Sequence, residues 1–217
     1  MFKHIFHNLR KIEKATLYRE QMKTEKKIGM MVMMTMILVW GASCHRQEYS
    51  RNYVSADSAD FQHYKKEASN RPSPPARADQ MLGDTHVYIT YSQPGVKDRD
   101  IWGDLVKYNK IWRTGANEAT VFSTDKALQI EGQSLPAGDY ALYTIPSDSS
   151  TWEVILNRKY DVWGAYDYEK ELDALRFTVT TSKVKELQER MNFEIALDGQ
   201  VTFAWEYLRF SFAVKPA

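Results

Sequence analysis

Residues 193–205 read FEIALDGQVTFAW, and this stretch decides the fold. Phe193, Ile195 and Leu197 alternate with other residues, Asp198-Gly199 interrupts, and Val201, Phe203 and Trp205 resume the alternation. A period of two puts those side chains on one face of a strand. Asp-Gly is a strong two-residue hairpin signal because both residues tolerate positive φ. The sequence therefore predicts a tight hairpin at Leu197-Asp198-Gly199-Gln200 joining two antiparallel strands. Phe210, Phe212 and Val214 carry the same alternation to the end of the chain.

Upstream, the same pattern recurs in short pieces. Residues 86–91 (HVYITY) alternate, residues 120–123 and 127–131 follow, and Gly132 ends the latter. Leu135-Pro136-Ala137-Gly138 is turn chemistry. Residues 140–145 and 152–157 are apolar runs of strand length, the former unbroken enough to be buried on both faces. Leu175, Phe177 and Val179 form one more stripe. Only residues 168–175 and 183–189 read as helical turns, and no internal repeat is present. Short strands at regular spacing predict an all-β domain, a single antiparallel β-sandwich or partly open barrel, preceded by a signal segment and a flexible tether.

Length and composition set the frame. With 217 residues the chain can hold one domain with a sizeable core, and 43% hydrophobic with 26% charged residues argues against wholesale disorder. The net charge of +1 hides an asymmetry: residues 1–29 carry eight Lys/Arg against three Asp/Glu. The totals of 29 and 28 then leave 21 basic and 25 acidic residues for the remainder, so a nucleic-acid partner is not expected.

The basic start leads into residues 28–40, IGMMVMMTMILVW, then Gly41, Ala42, Ser43 and Cys44. Charged, apolar and small segments in that order are the layout of a secretory signal. The apolar run of 13 residues falls short of the roughly 20 that a membrane-crossing helix needs. Small residues ahead of a lone cysteine resemble a bacterial lipoprotein signal, with Cys44 as the acylated first mature residue. The charged segment MKTEKK would begin naturally at Met22, which makes Met22 a candidate start. Residues 45–71 hold few aliphatic side chains and read as a tether. The expected organisation is a leader over 1–43, a polar tether over 44–72 and a β-rich domain over 73–217. The expected location is the cell envelope, anchored to the membrane through Cys44, facing the periplasm from the outer membrane rather than displayed on the surface.

Motifs for known chemistry are sparse. The chain lacks a P-loop, a dinucleotide glycine fingerprint and a nucleophile-elbow serine. One cysteine precludes an internal disulfide framework, and of five histidines only His86 falls in the domain, so neither a metal site nor a cofactor is expected. What stands out is residues 112–120, WRTGANEAT. Arg113 supplies a planar donor fork, Asn117 a donor and an acceptor, and Glu118 an acceptor or proton shuttle around Gly115. The alternative is a buried Arg113–Glu118 pair tying a turn to the sandwich. Tyr91, Arg99 and Trp163 are candidate neighbours. The abundant tryptophans fit either a sugar-stacking surface or a sandwich core.

Residues 90–102 (TYSQPGVKDRDIW), 105–120 (LVKYNKIWRTGANEAT), 135–146 (LPAGDYALYTIP), 152–157 (WEVILN) and 161–168 (DVWGAYDY) together carry a resemblance. The chain resembles the bacterial family of domain of unknown function 2911, common in Bacteroidetes. Lys107 and Asn109 stand where that family usually has Pro and Gly, and Asp98 where Gly is usual. The resemblance implies a compact, exported β-rich domain and no established activity. Three functions stay open: a lipid-anchored binding module for a glycan, peptide or small polar ligand, a glycosidase-like hydrolase using Glu118 and Arg113, and a structural envelope component.

Overall fold

A computed structural model describes residues 58–217, with side chains from residue 61 onward. The expected leader and Cys44 lie outside the described residues. The described chain holds one helix, α1 (Ser58–Glu67), and nine strands. These are β1 (Pro75–Leu82), β2 (Thr85–Ser92), β3 (Val121–Thr124), β4 (Leu128–Ile130), β5 (Gln133–Leu135), β6 (Gly138–Ile145), β7 (Thr151–Asn157), β8 (Asp173–Ile195) and β9 (Gln200–Pro216). Every strand pairing is antiparallel, in one open sheet of order β1-β2-β3-β6-β7-β8-β9-β4-β5.

The sheet bends because its two longest strands do not run straight. β8 pairs with β7 through Asp173 to Thr180 and with β9 through Thr181 to Ile195, so it passes from one half of the sheet to the other. Its register breaks between Lys183 and Gln188 and again before Asn192, as at the corner of a folded sheet. β9 folds back at Glu206, whose φ is +56°. Phe203 stacks on Phe210 at 4.7 Å, and Thr202 Oγ1 lies 2.9 Å from Ser211 Oγ. An extended strand would set those two phenylalanines about 23 Å apart. On the opposite side, Val96 N–H donates to Glu189 and Met191 N–H donates to Pro94, so the chain leaving β2 meets the far half of β8.

One main core fills the fold, with Val87, Ile89, Phe122, Leu142, Trp152, Phe193, Phe203 and Trp205 almost fully buried. β6 is buried on both faces, as its unbroken apolar run predicts. Tyr140 and Leu142 face the main core, while Ala141 and Tyr143 join a second cluster with Ala119, Ile155 and Val162. The second cluster covers the outer face of β6 and β7 and is closed by the segment that contains residues 112–120.

The hairpin between β8 and β9 lies where Asp198-Gly199 places it, but its turn type differs. Gly199 N–H donates to Ala196, Leu197 and Asp198 are the central pair, and only Gly199 takes positive φ, at +84°. That is a turn followed by a glycine bulge rather than a two-residue loop. A Cβ at Gly199 would also overlap the backbone oxygen of Val214.

Three readings of the sequence are corrected. Residues 183–189 are strand, part of β8, not a helical turn; this arm is largely exposed, so no buried face imposes a period of two. Within residues 168–175 the helical turn shrinks to Lys170–Leu172 before β8 begins. The segment read as a tether contains α1, held by one residue that the composition conceals: Phe61 is 3% exposed, with the Arg77 guanidinium 4.7 Å from its ring centre.

Candidate functional site

The loop over residues 112–120 is locked by its own hydroxyls and backbone. Trp112 N–H donates to Thr144, Thr120 Oγ1 donates to the Thr114 carbonyl at 2.9 Å, and Thr114 Oγ1 donates to Thr144 Oγ1 at 3.1 Å. Thr114 and Asn117 sit in the left-handed region at φ +51° and +57°, a costly conformation for a β-branched threonine. Gly115 is required, because a Cβ would come 2.7 Å from Thr120 Oγ1.

Glu118 is buried in this loop, with its side chain 4% exposed. Its direct cationic partner is not Arg113 but Arg71, whose Nη1 lies 2.5 Å from Oε1. Ser92 Oγ donates to Oε2 at 3.2 Å. Arg71 Nη1 also donates to the Tyr64 hydroxyl at 3.1 Å. Burial, and after it the neighbouring carboxylate, pushes the Tyr64 phenol well above its ordinary value. The hydrogen bond to Glu118 raises Arg71. Burial lowers Arg113, against the opposing influence of Tyr166 and Glu118, and its Nε has no acceptor among the described residues. The expected Arg113–Glu118 tie is therefore an Arg71–Glu118 tie, with Arg113 alongside.

The remaining candidates divide. Trp163 shares an isolated β-bridge with Glu118 and is 43% exposed, so these two do converge. Asn117 Nδ2 donates to the Ser73 carbonyl at 3.1 Å and fastens the start of the domain. Tyr91 is spent elsewhere: its hydroxyl accepts from Phe193 N–H and donates to Asn192 Oδ1, joining β2 to β8. Burial raises its phenol. The Arg99 guanidinium donates to the Val96 and Gly95 carbonyls and closes its own loop.

Two hollows flank the β8–β9 ribbon. Lys183 and Leu208 are register partners and line a cleft of about 560 Å³. Ser182 and Arg209, the adjacent partners, line a shallower hollow of about 670 Å³. Successive residues of a strand face opposite ways, so the hollows lie on opposite faces of the ribbon.

The first cleft has an aromatic floor. Trp152 is 1% exposed and its Nε1 donates to the Ser147 carbonyl at 3.0 Å. Trp102 meets Trp152, Trp205 and Trp112 with ring centres 4.8, 5.6 and 5.9 Å away, each edge to face. Such contacts fix the ring orientations. Tyr108 and the half-exposed Tyr207 form more open walls. Asp148, Lys183 and Glu206 add polar groups that make no ion pair among the described residues. Sequence reading missed this site because its residues come from four distant segments; the aromatic abundance was the only signal available.

The molecule is thus an all-β domain whose open concave surface is aromatic and hydroxyl-rich, carried on a sheet that begins just after a helix. Residues 73–214 match the family model described as Protein of unknown function (DUF2911), and the chain belongs to that family. No curated protein and no solved structure matches it.

Proposed function

We propose that this protein is a lipid-anchored binding module of the cell envelope that takes a glycan in the Trp102–Trp152 cleft. One observation carries the reading: ordered aromatic rings and uncommitted Asp148, Lys183 and Glu206 side chains line the same 560 Å³ cleft. A sugar offers a C–H face for ring contact and hydroxyls for charged groups at its edge, which is the chemistry this lining complements.

The anchor rests on the order of charged, apolar and small residues ahead of Cys44. Cys44→Ala should abolish lipid labelling in a bacterial host; a wild-type protein without lipid label counts against the anchor. For the cleft, an oligosaccharide panel is titrated into the protein while tryptophan fluorescence is followed. Saturable binding by at least one glycan, lost in Trp102→Phe/Tyr207→Ala, is the expected result. A panel that leaves the tryptophan signal unchanged removes the proposal. The hydrolase reading of Glu118 and Arg113 gains no support from a carboxylate whose two oxygens already accept bonds from Arg71 and Ser92.

A further inference from the structure

Glu118 presents an unusual division of labour. The acid and its hydroxyl partner, Ser92, belong to the family domain over residues 73–214. The cation that neutralises the acid does not: Arg71 and Tyr64 precede that domain, on and just after α1. A carboxylate that is 4% exposed requires a compensating charge and a full set of donors. Here that requirement is met by a long side chain reaching in from outside, itself 41% exposed. Arg113, an arginine of the same loop, lies near enough to feel Glu118 yet forms no ion pair with it.

The surrounding backbone is prepared for this acid. Thr114 and Asn117 hold left-handed conformations on either side of Gly115 and just before Glu118; buried hydroxyl bonds from Thr114 and Thr120 fix the first, and the bond of Asn117 to the Ser73 carbonyl fixes the second. Strain held by surrounding bonds around a recessed charge is typical of a preorganised recognition site. The segment that fills the recess is attached at few points. Apart from Arg71, it is held by buried Phe61 and Ala68, by the contact of Arg77 with the Phe61 ring and by a bond from Arg190 Nη1 to the Pro72 carbonyl at 2.7 Å.

We propose that Glu118 and Ser92 form a receptor for the guanidinium or ammonium group of a cationic ligand, and that Arg71 occupies it as a tethered stand-in. The fork of a guanidinium supplies paired donors that suit a carboxylate. A tethered group competes at an effective concentration on the order of millimolar, so a ligand binds only by displacing Arg71 or after α1 lifts away. This site is separate from the glycan cleft, and neither proposal depends on the other.

The test titrates agmatine into the full chain, the Arg71→Ala variant and the Arg71→Ala/Glu118→Gln double variant, reading melting temperature against a sodium chloride control. The expected result is a saturable rise for Arg71→Ala, at least tenfold weaker apparent affinity for the wild type, and no response from the double variant. Equal responses from the single and double variants overturn the proposal, as does an Arg71→Ala protein in which Arg113 turns onto Glu118 and agmatine has no effect. If Arg71→Ala does not fold, the wild-type chain decides. Agmatine should then move the side-chain NMR signal of the Arg71 guanidinium, and a signal that follows only the salt control overturns the idea.

Discussion

The loop around Glu118 and the cleft beneath Trp102 are both rich in polar and aromatic residues, but they treat those residues in opposite ways. Around Glu118 the acid, Ser92, Thr114, Thr120, Asn117 and Arg71 all have partners inside the chain. In the cleft the rings are fixed by one another, while Asp148, Lys183 and Glu206 have no ion-pair partner among the described residues. Density of functional-looking residues therefore does not say which groups are open to a ligand in the folded chain; the state of their hydrogen bonds does, and a ligand for Glu118 has first to displace Arg71. A satisfied buried group contributes through stability, and an unsatisfied accessible group is available to a ligand.

Mutations can break that contrast, beginning with the fold that creates the cleft. Gly199→Val forces a β-branched residue to φ +84° and drives its Cβ into the Val214 carbonyl. Overpacking and backbone strain together should cost about 3–5 kcal/mol, measured by urea unfolding. A loss under about 1 kcal/mol would show that the β8–β9 hairpin can shift without disturbing the folded-back strand.

Next in size is the closed region. Arg71→Ala leaves Glu118 without its ion-pair partner, and the loss should be about 2 kcal/mol, below the 3–5 kcal/mol of a sealed pair because Arg71 is 41% exposed. A loss under about 0.5 kcal/mol in urea unfolding would mean that the ion pair is not what Arg71 contributes.

The open region should behave oppositely. Tyr207→Ala, at a side chain 44% exposed, should leave stability within about 0.5 kcal/mol while weakening glycan binding roughly tenfold, a loss of about 1.4 kcal/mol read by fluorescence titration. A stability loss larger than the binding loss would return Tyr207 to the core. The smallest effect is a gain. Glu206→Gly relieves a left-handed glutamate and should stabilise the fold by about 0.5 kcal/mol while reducing glycan affinity. Destabilisation instead would show that the Glu206 side chain has a structural duty.

The strands that the sequence makes legible are those with one wet and one dry face, or two dry ones. β2, β6, β7 and both arms of the β8–β9 hairpin fall in this class, and Asp198-Gly199 marks their turn. β1 escapes notice because PARADQML is an edge strand paired only with β2, with little apolar periodicity. The exposed stretch of β8 escapes for a related reason: solvent on both sides removes the pattern that a core imposes. Of the candidate site, Arg113, Asn117 and Glu118 could be grouped because they are neighbours in sequence. The partner of Glu118 could not, since Arg71 lies 47 residues earlier and arrives from a segment whose composition gives no sign of order. Likewise Trp102, Trp152 and Tyr207 meet only after two long strands have bent.

The edge position of β1 has a mechanical meaning. Its open end pairs Pro75 with Ser92, while its turn end pairs Leu82 with Thr85. A pull on the chain ahead of Pro75 would first load the Arg71–Glu118 contact and the Arg190–Pro72 and Asn117–Ser73 bonds, then reach the Pro75 pair. From there the hairpin would open like a zipper, one pair at a time, instead of resisting as a block under shear. Tension applied ahead of Pro75 would thus be spent on a peripheral strand and its strap, leaving the bent sheet and its aromatic cleft intact.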